Sequence, residues 1–160
     1  MAHGNGSEEI LRGDDELLFV SIHHYEPNVF PGCAEATSSR PGVKNVPLPT
    51  GFASEQFRDA MTRQVLPVLQ EFQPQLLLIS AGFGAHRHDA LGGGALHEDD
   101  FGWATTALLG AVGPACPVVS VLEGGYLKSE VAGTTELTDM DSELVASVRS
   151  HVCALIQEEG

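Results

Sequence analysis

The stretch Leu76-Leu77-Leu78-Ile79-Ser80-Ala81-Gly82-Phe83-Gly84-Ala85-His86-Arg87-His88-Asp89 decides the fold. Its apolar run over residues 76–80 has no polar alternation, the pattern of a strand covered on both faces and central in a parallel sheet. Upstream, Phe57, Met61, Val65, Val68, Leu69 and Phe72 recur at helical spacing, with Ser54 as N-cap and Glu55 in the first turn. Pro67 predicts a kink or break in that helix, and Pro74 closes it. Downstream, Leu91-Gly92-Gly93-Gly94 reads as a flexible turn. It lacks the Lys-Ser/Thr ending of a phosphate loop and does not directly open a helix. Phe101, Trp103, Ala104, Ala107 and Leu108 then mark a helix over 98–111, ended by Gly113-Pro114.

Two further apolar runs frame this unit. Leu17-Leu18-Phe19-Val20-Ser21-Ile22 leads into His23-His24, a strand over 17–23, and Val118-Val119-Ser120-Val121-Leu122 leads into Glu123-Gly124-Gly125-Tyr126. Residues 27–49, with Pro27, Pro31, Pro41, Pro47 and Pro49, read as one long loop bordering any site. Residues 143–158 place Leu144, Val145, Val148, Val152, Leu155 and Ile156 on one helical stripe. Strand, helix, strand, helix, strand, helix is the α/β pattern, and right-handed crossovers make the three strands parallel. Ligands in such sheets bind beyond the carboxyl ends of the strands, which here carry His23-His24, residues 82–89 and residues 123–126.

Composition narrows the partners. The chain has 160 residues, one domain's worth, and 8 Lys plus Arg against 22 Asp plus Glu give a net charge of −14. So few scattered cations argue against direct nucleic-acid binding. Neither a membrane-spanning run nor a signal segment is apparent, which predicts an intracellular protein, cytoplasmic or nuclear. Cys33, Cys116 and Cys153 are odd in number and widely spaced, so neither a disulfide framework nor a thiolate zinc site is expected.

At the rim, His23, His24, His86, His88 and Asp89 are of the types that bind zinc or a similar ion. Adjacent His23 and His24 point to opposite faces of a strand, so at most one joins a common site. The alternative is that the histidines are solvated or support the site indirectly. Tyr126, after two glycines, is placed either to donate to a developing oxyanion or to end the strand and pack.

Several blocks, taken in order, resemble the histone deacetylase and acetylpolyamine amidohydrolase superfamily, zinc-dependent enzymes of arginase-like α/β fold. They are residues 3–10 (HGNGSEEI), 19–23 (FVSIH), Phe30-Pro31-Gly32, Ser80-Ala81-Gly82-Phe83, Ala85-His86-Arg87 and Leu122-Glu123-Gly124-Gly125-Tyr126. The resemblance covers residues 3 to about 130 and implies a three-layer fold with a parallel sheet, incomplete on its N-terminal side. It implies that residues 1–160 form a single partial domain. In the family, a metal-bound water attacks an acyl-lysine amide beside a histidine pair, and a tyrosine polarises the carbonyl. The resemblance places Tyr126 at that tyrosine. It places Phe30 and Leu91 on the acyl-lysine tunnel, with Gly124 and Gly125 beside the substrate. Ser21 and the Ile22 carbonyl fall at a monovalent-cation site, implying potassium.

The departures imply loss of activity. The family's first metal-binding segment survives only as His3, with Ala2 at the ligand histidine and the aspartate falling before Met1; the histidine pair belongs to the same absent portion. Gly84 stands at the ligand aspartate, and Asp89-Ala90-Leu91 replaces Asp-Pro-Leu. The expectation is a truncated, inactive relative binding no zinc, with His86, His88 and Asp89 as weak substitute ligands. A non-catalytic module binding an acyl-lysine protein or an acylated small molecule is the alternative. An unpaired apolar sheet edge is expected where earlier strands would sit, predicting a homo-oligomer or pairing with an N-terminal half.

Overall fold

The computed structural model describes residues 3–26, 42–126 and 139–157. Its strands are β1 (Phe19–His24), β2 (Val43–Leu48), β3 (Phe52–Ala53), β4 (Leu77–Ala81), β5 (Gly94–Ala95) and β6 (Val118–Leu122). Its helices are α1 (Asn5–Leu11), α2 (Ser54–Ala60), α3 (Leu66–Phe72), α4 (Glu98–Val112) and α5 (Asp139–Ile156). β1 pairs with β2, β3 with β5 and β4 with β6, all parallel, so the α/β reading holds. Among the described residues the strands form three separate pairs rather than one ladder.

Pairing of β4 with β6 runs in register from Leu77 opposite Val118 to Ala81 opposite Leu122. The two strands therefore end level, and the loops that follow stay joined: the Glu123 amide donates to Ala81 O at 2.9 Å and the Phe83 amide to Gly124 O at 2.6 Å. This brings residues 82–92 beside residues 123–126.

Three expectations need correction, and one further element was not foreseen. Residues 43–48 are strand, not loop. Prolines at 47 and 49 suggested a turn, but a proline is tolerated where a strand has no second neighbour, and β2 pairs only with β1 in the described structure. Residues 5–11 form a short helix that no apolar periodicity signalled. Ser54 is the first helical residue and Ala53 the cap. The Ala53 amide is met by Gln56 Oε1 at 2.9 Å, while Ser54 Oγ donates to Asp100. Finally, β4 is covered on one face only: Leu78 is 67% exposed and Leu76, Val119 and Val121 are also open, whereas Leu77 and Ile79 pack on the core. An apolar run records that a strand is apolar on both faces, but not what covers each.

The Pro67 expectation is met in an unusual form. Instead of stopping, the helix widens to a π-helical turn over Met61–Val65, and Pro67 then sits in the first turn of α3, where a missing N–H costs little. Phe57, Met61, Val65 and Leu69 line the buried stripe and meet Val46, Phe52, Leu96 and Phe101 in the core.

α4 and α5 cross closely at Gly102, where a Cβ would lie 2.4 Å from Ser150 Oγ and 3.1 Å from Ser150 O. Nearby, buried His151 joins three elements. Thr105 Oγ1 donates to Phe101 O, so it accepts from His151 Nδ1–H at 2.6 Å, and Ser120 Oγ donates to Nε2 at 2.8 Å. Burial pushes the His151 imidazole below its ordinary pKa, consistent with a neutral ring locked in one tautomer.

Candidate functional site at the ends of β4 and β6

Asp89 organises the rim. Its Oδ1 accepts from the Leu91 amide at 2.8 Å and the Gly92 amide at 2.6 Å, and its Oδ2 accepts from the Tyr126 amide at 2.6 Å. The Ala90 amide in turn donates to Tyr126 O at 3.0 Å. One carboxylate thus ties the loop after β4 to the loop after β6 and holds Tyr126 in place. Its oxygens are committed to these three backbone donors rather than to His86 or His88.

Tyr126 is 47% exposed, and its ring lies against Gly124. Gly125 is required by a close approach, since a Cβ there would come 3.1 Å from Phe83 Cβ. Leu91, at 66% exposure, is joined to Tyr126 through Asp89, which accepts from both backbone amides. Phe30 lies outside the described residues. Gly92-Gly93-Gly94 is no flexible turn. A Cβ on Gly92 would sit 1.7 Å from Gly84 O, Gly93 O accepts from the Gly51 amide at 2.6 Å, and Gly94 pairs in β5. These glycines let three backbone segments pack where side chains would not fit.

Gly84 itself offers no donor beyond its backbone. His86 is 1% exposed and directs Nε2 at Glu98 Oε2, 3.5 Å away, on the first turn of α4. Burial pushes the His86 imidazole below its ordinary pKa, opposed by Glu98. Glu98 itself is held below the usual carboxylate range first by a hydrogen bond with its own backbone N–H. His88 Nδ1 is 3.2 Å from Glu143 Oε2 on α5, and ligand-capable atoms of His86, Glu98 and Glu143 all lie within 4.8 Å of one another. Arg87 contacts both carboxylates and His97 Nδ1. Sequence reasoning found His86 and His88 but missed both glutamates. Glu98 carried one usable signal, an acid in the first turn of a helix that follows the loop; Glu143, 57 residues from His86, carried none.

The upstream histidines separate as the strand geometry predicted. His23 is buried with its ring centroid 4.5 Å from that of His3, whereas His24 faces Thr50, 2.6 Å from its hydroxyl. Ser21 Oγ donates to His3 O at 2.7 Å and lies 3.1 Å from His23 Nδ1. His3 Nε2 meets Asn45 Oδ1 and Glu8 Oε2, both at 2.9 Å.

A model of the histone deacetylase domain matches residues 1–138. This chain belongs to the histone deacetylase family. It is 32% identical over 98% of its length to type-2 histone deacetylase 2 of Dictyostelium discoideum, covering 9% of that protein. It is 30% identical, also over 98%, to a probable deacetylase of Archaeoglobus fulgidus, covering 44% of it. Among solved structures, the HDA15 HD domain superposes with a TM-score of 0.78 at 29% identity, covering 98% of this chain and 42% of that one. An acetylpolyamine aminohydrolase from Burkholderia pseudomallei gives 0.77 at 30% identity, covering all of this chain and 44% of its own. The chain therefore spans less than half of each of these histone deacetylase relatives. No helix among its described residues is long and apolar enough to cross a membrane.

Proposed function

We propose that this chain is a member of the histone deacetylase family that does not hydrolyse acyl-lysine amides on its own. The observation that carries this reading is Gly84 and its surroundings. The family resemblance puts a metal-binding aspartate at that position, where this chain has only backbone, and the loop's own carboxylate, Asp89, is committed to three amides. His86 Nε2 is directed at Glu98 Oε2, 3.5 Å away. Zinc, where the family binds it, lowers the pKa of water from about 15.7 toward 7 and so supplies the nucleophile. The residues around Gly84 do not fit that ion, and a tyrosine at the rim cannot replace it. Purified chain incubated with an acetyl-lysine peptide and added zinc is expected to release acetate at the rate of a protein-free control. Turnover abolished by a chelator would refute the proposal.

A second reading, binding of an acyl-lysine protein or an acylated small molecule without turnover, is favoured by the rim itself. Leu91 and Tyr126 are both exposed, and their backbones are tied together by Asp89 and by the Ala90 to Tyr126 hydrogen bond. Fluorescence anisotropy with an acetyl-lysine peptide tests it: saturable binding weakened by Tyr126→Ala supports it, and equal affinity for the unacetylated peptide contradicts it. The open face of β4 and β6, with Leu76, Leu78, Val119 and Val121, supports pairing with a second polypeptide or another copy of the chain.

A further inference from the structure

Among the described residues, an unusual polar cluster lies where the loop after β4 meets the first turn of α4 and the N-terminal part of α5. Three atoms there are buried without hydrogen-bond partners: His86 Nε2, His88 Nδ1 and Glu98 Oε2. All three are close to Glu143 Oε2 or to one another, with His86 Nε2 3.5 Å from Glu98 Oε2 and His88 Nδ1 3.2 Å from Glu143 Oε2. The His86 and His88 ring centroids are 5.4 Å apart. Leaving several buried polar groups unmet in one place is costly, and their convergence calls for an occupant.

We propose that His86, Glu98 and Glu143, with His88 as a fourth donor, bind one divalent transition ion of the zinc class, joining the loop after β4 to α5. The donor set of two imidazoles and two carboxylates suits such an ion and is poor for calcium or magnesium, which take oxygen donors. Four-coordinate zinc with bonds of about 2.0–2.2 Å places its ligand atoms roughly 3.3–3.6 Å apart. The 3.5 Å and 3.2 Å pairs already match, and the widest separation within His86, Glu98 and Glu143, at most 4.8 Å, needs to close by about an ångström. The site's donors are side chains at positions 86, 88, 98 and 143, none of which the resemblance assigns to the family's metal.

Two local features set the terms of binding. Arg87 contacts both Glu98 and Glu143 and competes as the resident cation; being partly exposed, it can swing into solvent. The His88 amide lies 3.2 Å from His86 Nδ1, so coordination through Nε2 moves the ring proton to Nδ1 and gives up that long contact. The ion is structural: Asp89, which holds the Tyr126 amide, is not among its donors. Its binding ties α5 to the loop that carries Asp89.

The test uses the full chain, stripped with a chelator and titrated with zinc and with cobalt(II). One equivalent of zinc retained through gel filtration, a rise in melting temperature, and the visible absorption of four-coordinate cobalt are expected. Glu98→Gln and the more exposed Glu143→Gln should each weaken zinc about tenfold or more, the scale on which disturbing a metal site is felt. Arg87→Ala should tighten it, an outcome that loss of folding cannot mimic. No retained metal would mean that water satisfies these atoms. Retention unchanged in both glutamine variants would place the ion elsewhere, for example at His3 and His23. Either result overturns the proposal. Zinc-dependent turnover in the wild type would instead refute the preceding reading of inactivity and leave this one standing.

Discussion

Replacing Asp89 should loosen the whole rim. In Asp89→Ala three backbone amides, those of Leu91, Gly92 and Tyr126, lose acceptors at 2.8, 2.6 and 2.6 Å. Hydrogen bonds to a charged group contribute about 1.5–3 kcal/mol each, but two of these share one oxygen, and the exposed Leu91 and Tyr126 segments let water replace part of the loss. The net cost is therefore about 3 kcal/mol, within a range of about 2–4. Asp89→Asn keeps an acceptor for the Leu91 and Gly92 amides but turns an NH2 toward the Tyr126 N–H, costing about 1–2 kcal/mol through one lost bond and one donor facing another. Urea unfolding followed by fluorescence of the single tryptophan, Trp103, gives both numbers. Amide hydrogen exchange should show faster exchange confined to residues 89–92 and 124–126. A loss below about 1 kcal/mol for Asp89→Ala, with exchange unchanged, would refute the claim that this carboxylate holds the rim together.

Three further outcomes follow from the packing. His151 is pushed below its ordinary pKa by burial, so below pH of about 6.5 the unfolded chain binds a proton that the folded chain resists. Stability contributed by the neutral ring is complete above that pH and is lost as pH falls toward the folded value, with a limiting slope of about 1.4 kcal/mol per pH unit. Urea midpoints measured across that window should flatten by about that slope in His151→Gln. Gly102→Ala forces α4 from α5 at Ser150 and should cost about 1–3 kcal/mol by overpacking, read as a lowered melting temperature. Gly92→Ala places a methyl 1.7 Å from Gly84 O, which only backbone movement relieves; circular dichroism should show helix retained while the protection of residues 89–92 is lost.

Which parts of the molecule the sequence revealed depended on how local the cause was. The strands at Phe19–His24, Leu77–Ala81 and Val118–Leu122, and the helix at Glu98–Val112, rest on short-range apolar patterns and stop signals and were legible. β2 was hidden because Pro47 and Pro49 announce a turn unless the strand has a free side, which is a property of the sheet. The expected two-sided cover of β4 failed for the same reason. At the site, Tyr126 and His86 could be singled out, whereas Asp89 reads locally as a metal ligand and acts as a cap for amides as far away as residue 126. Glu143 reaches the histidines only because α5 crosses α4 at Gly102, a contact written in the absence of a side chain. Asp100 is a similar case: completely buried, it accepts from Ser54 Oγ at 2.6 Å, Arg58 Nε at 2.7 Å and the His97 amide at 2.9 Å, joining α2 to α4.

The measurement that bears most directly on the proposed inactivity is acetate release from an acetyl-lysine peptide by the zinc-loaded chain, compared with the same chain carrying Tyr126→Phe. On the proposed reading Gly84 replaces the family's metal-binding aspartate with backbone alone, so both proteins should match the uncatalysed rate. Release that exceeds this rate, falls in the Tyr126→Phe variant and stops on chelation would contradict the account.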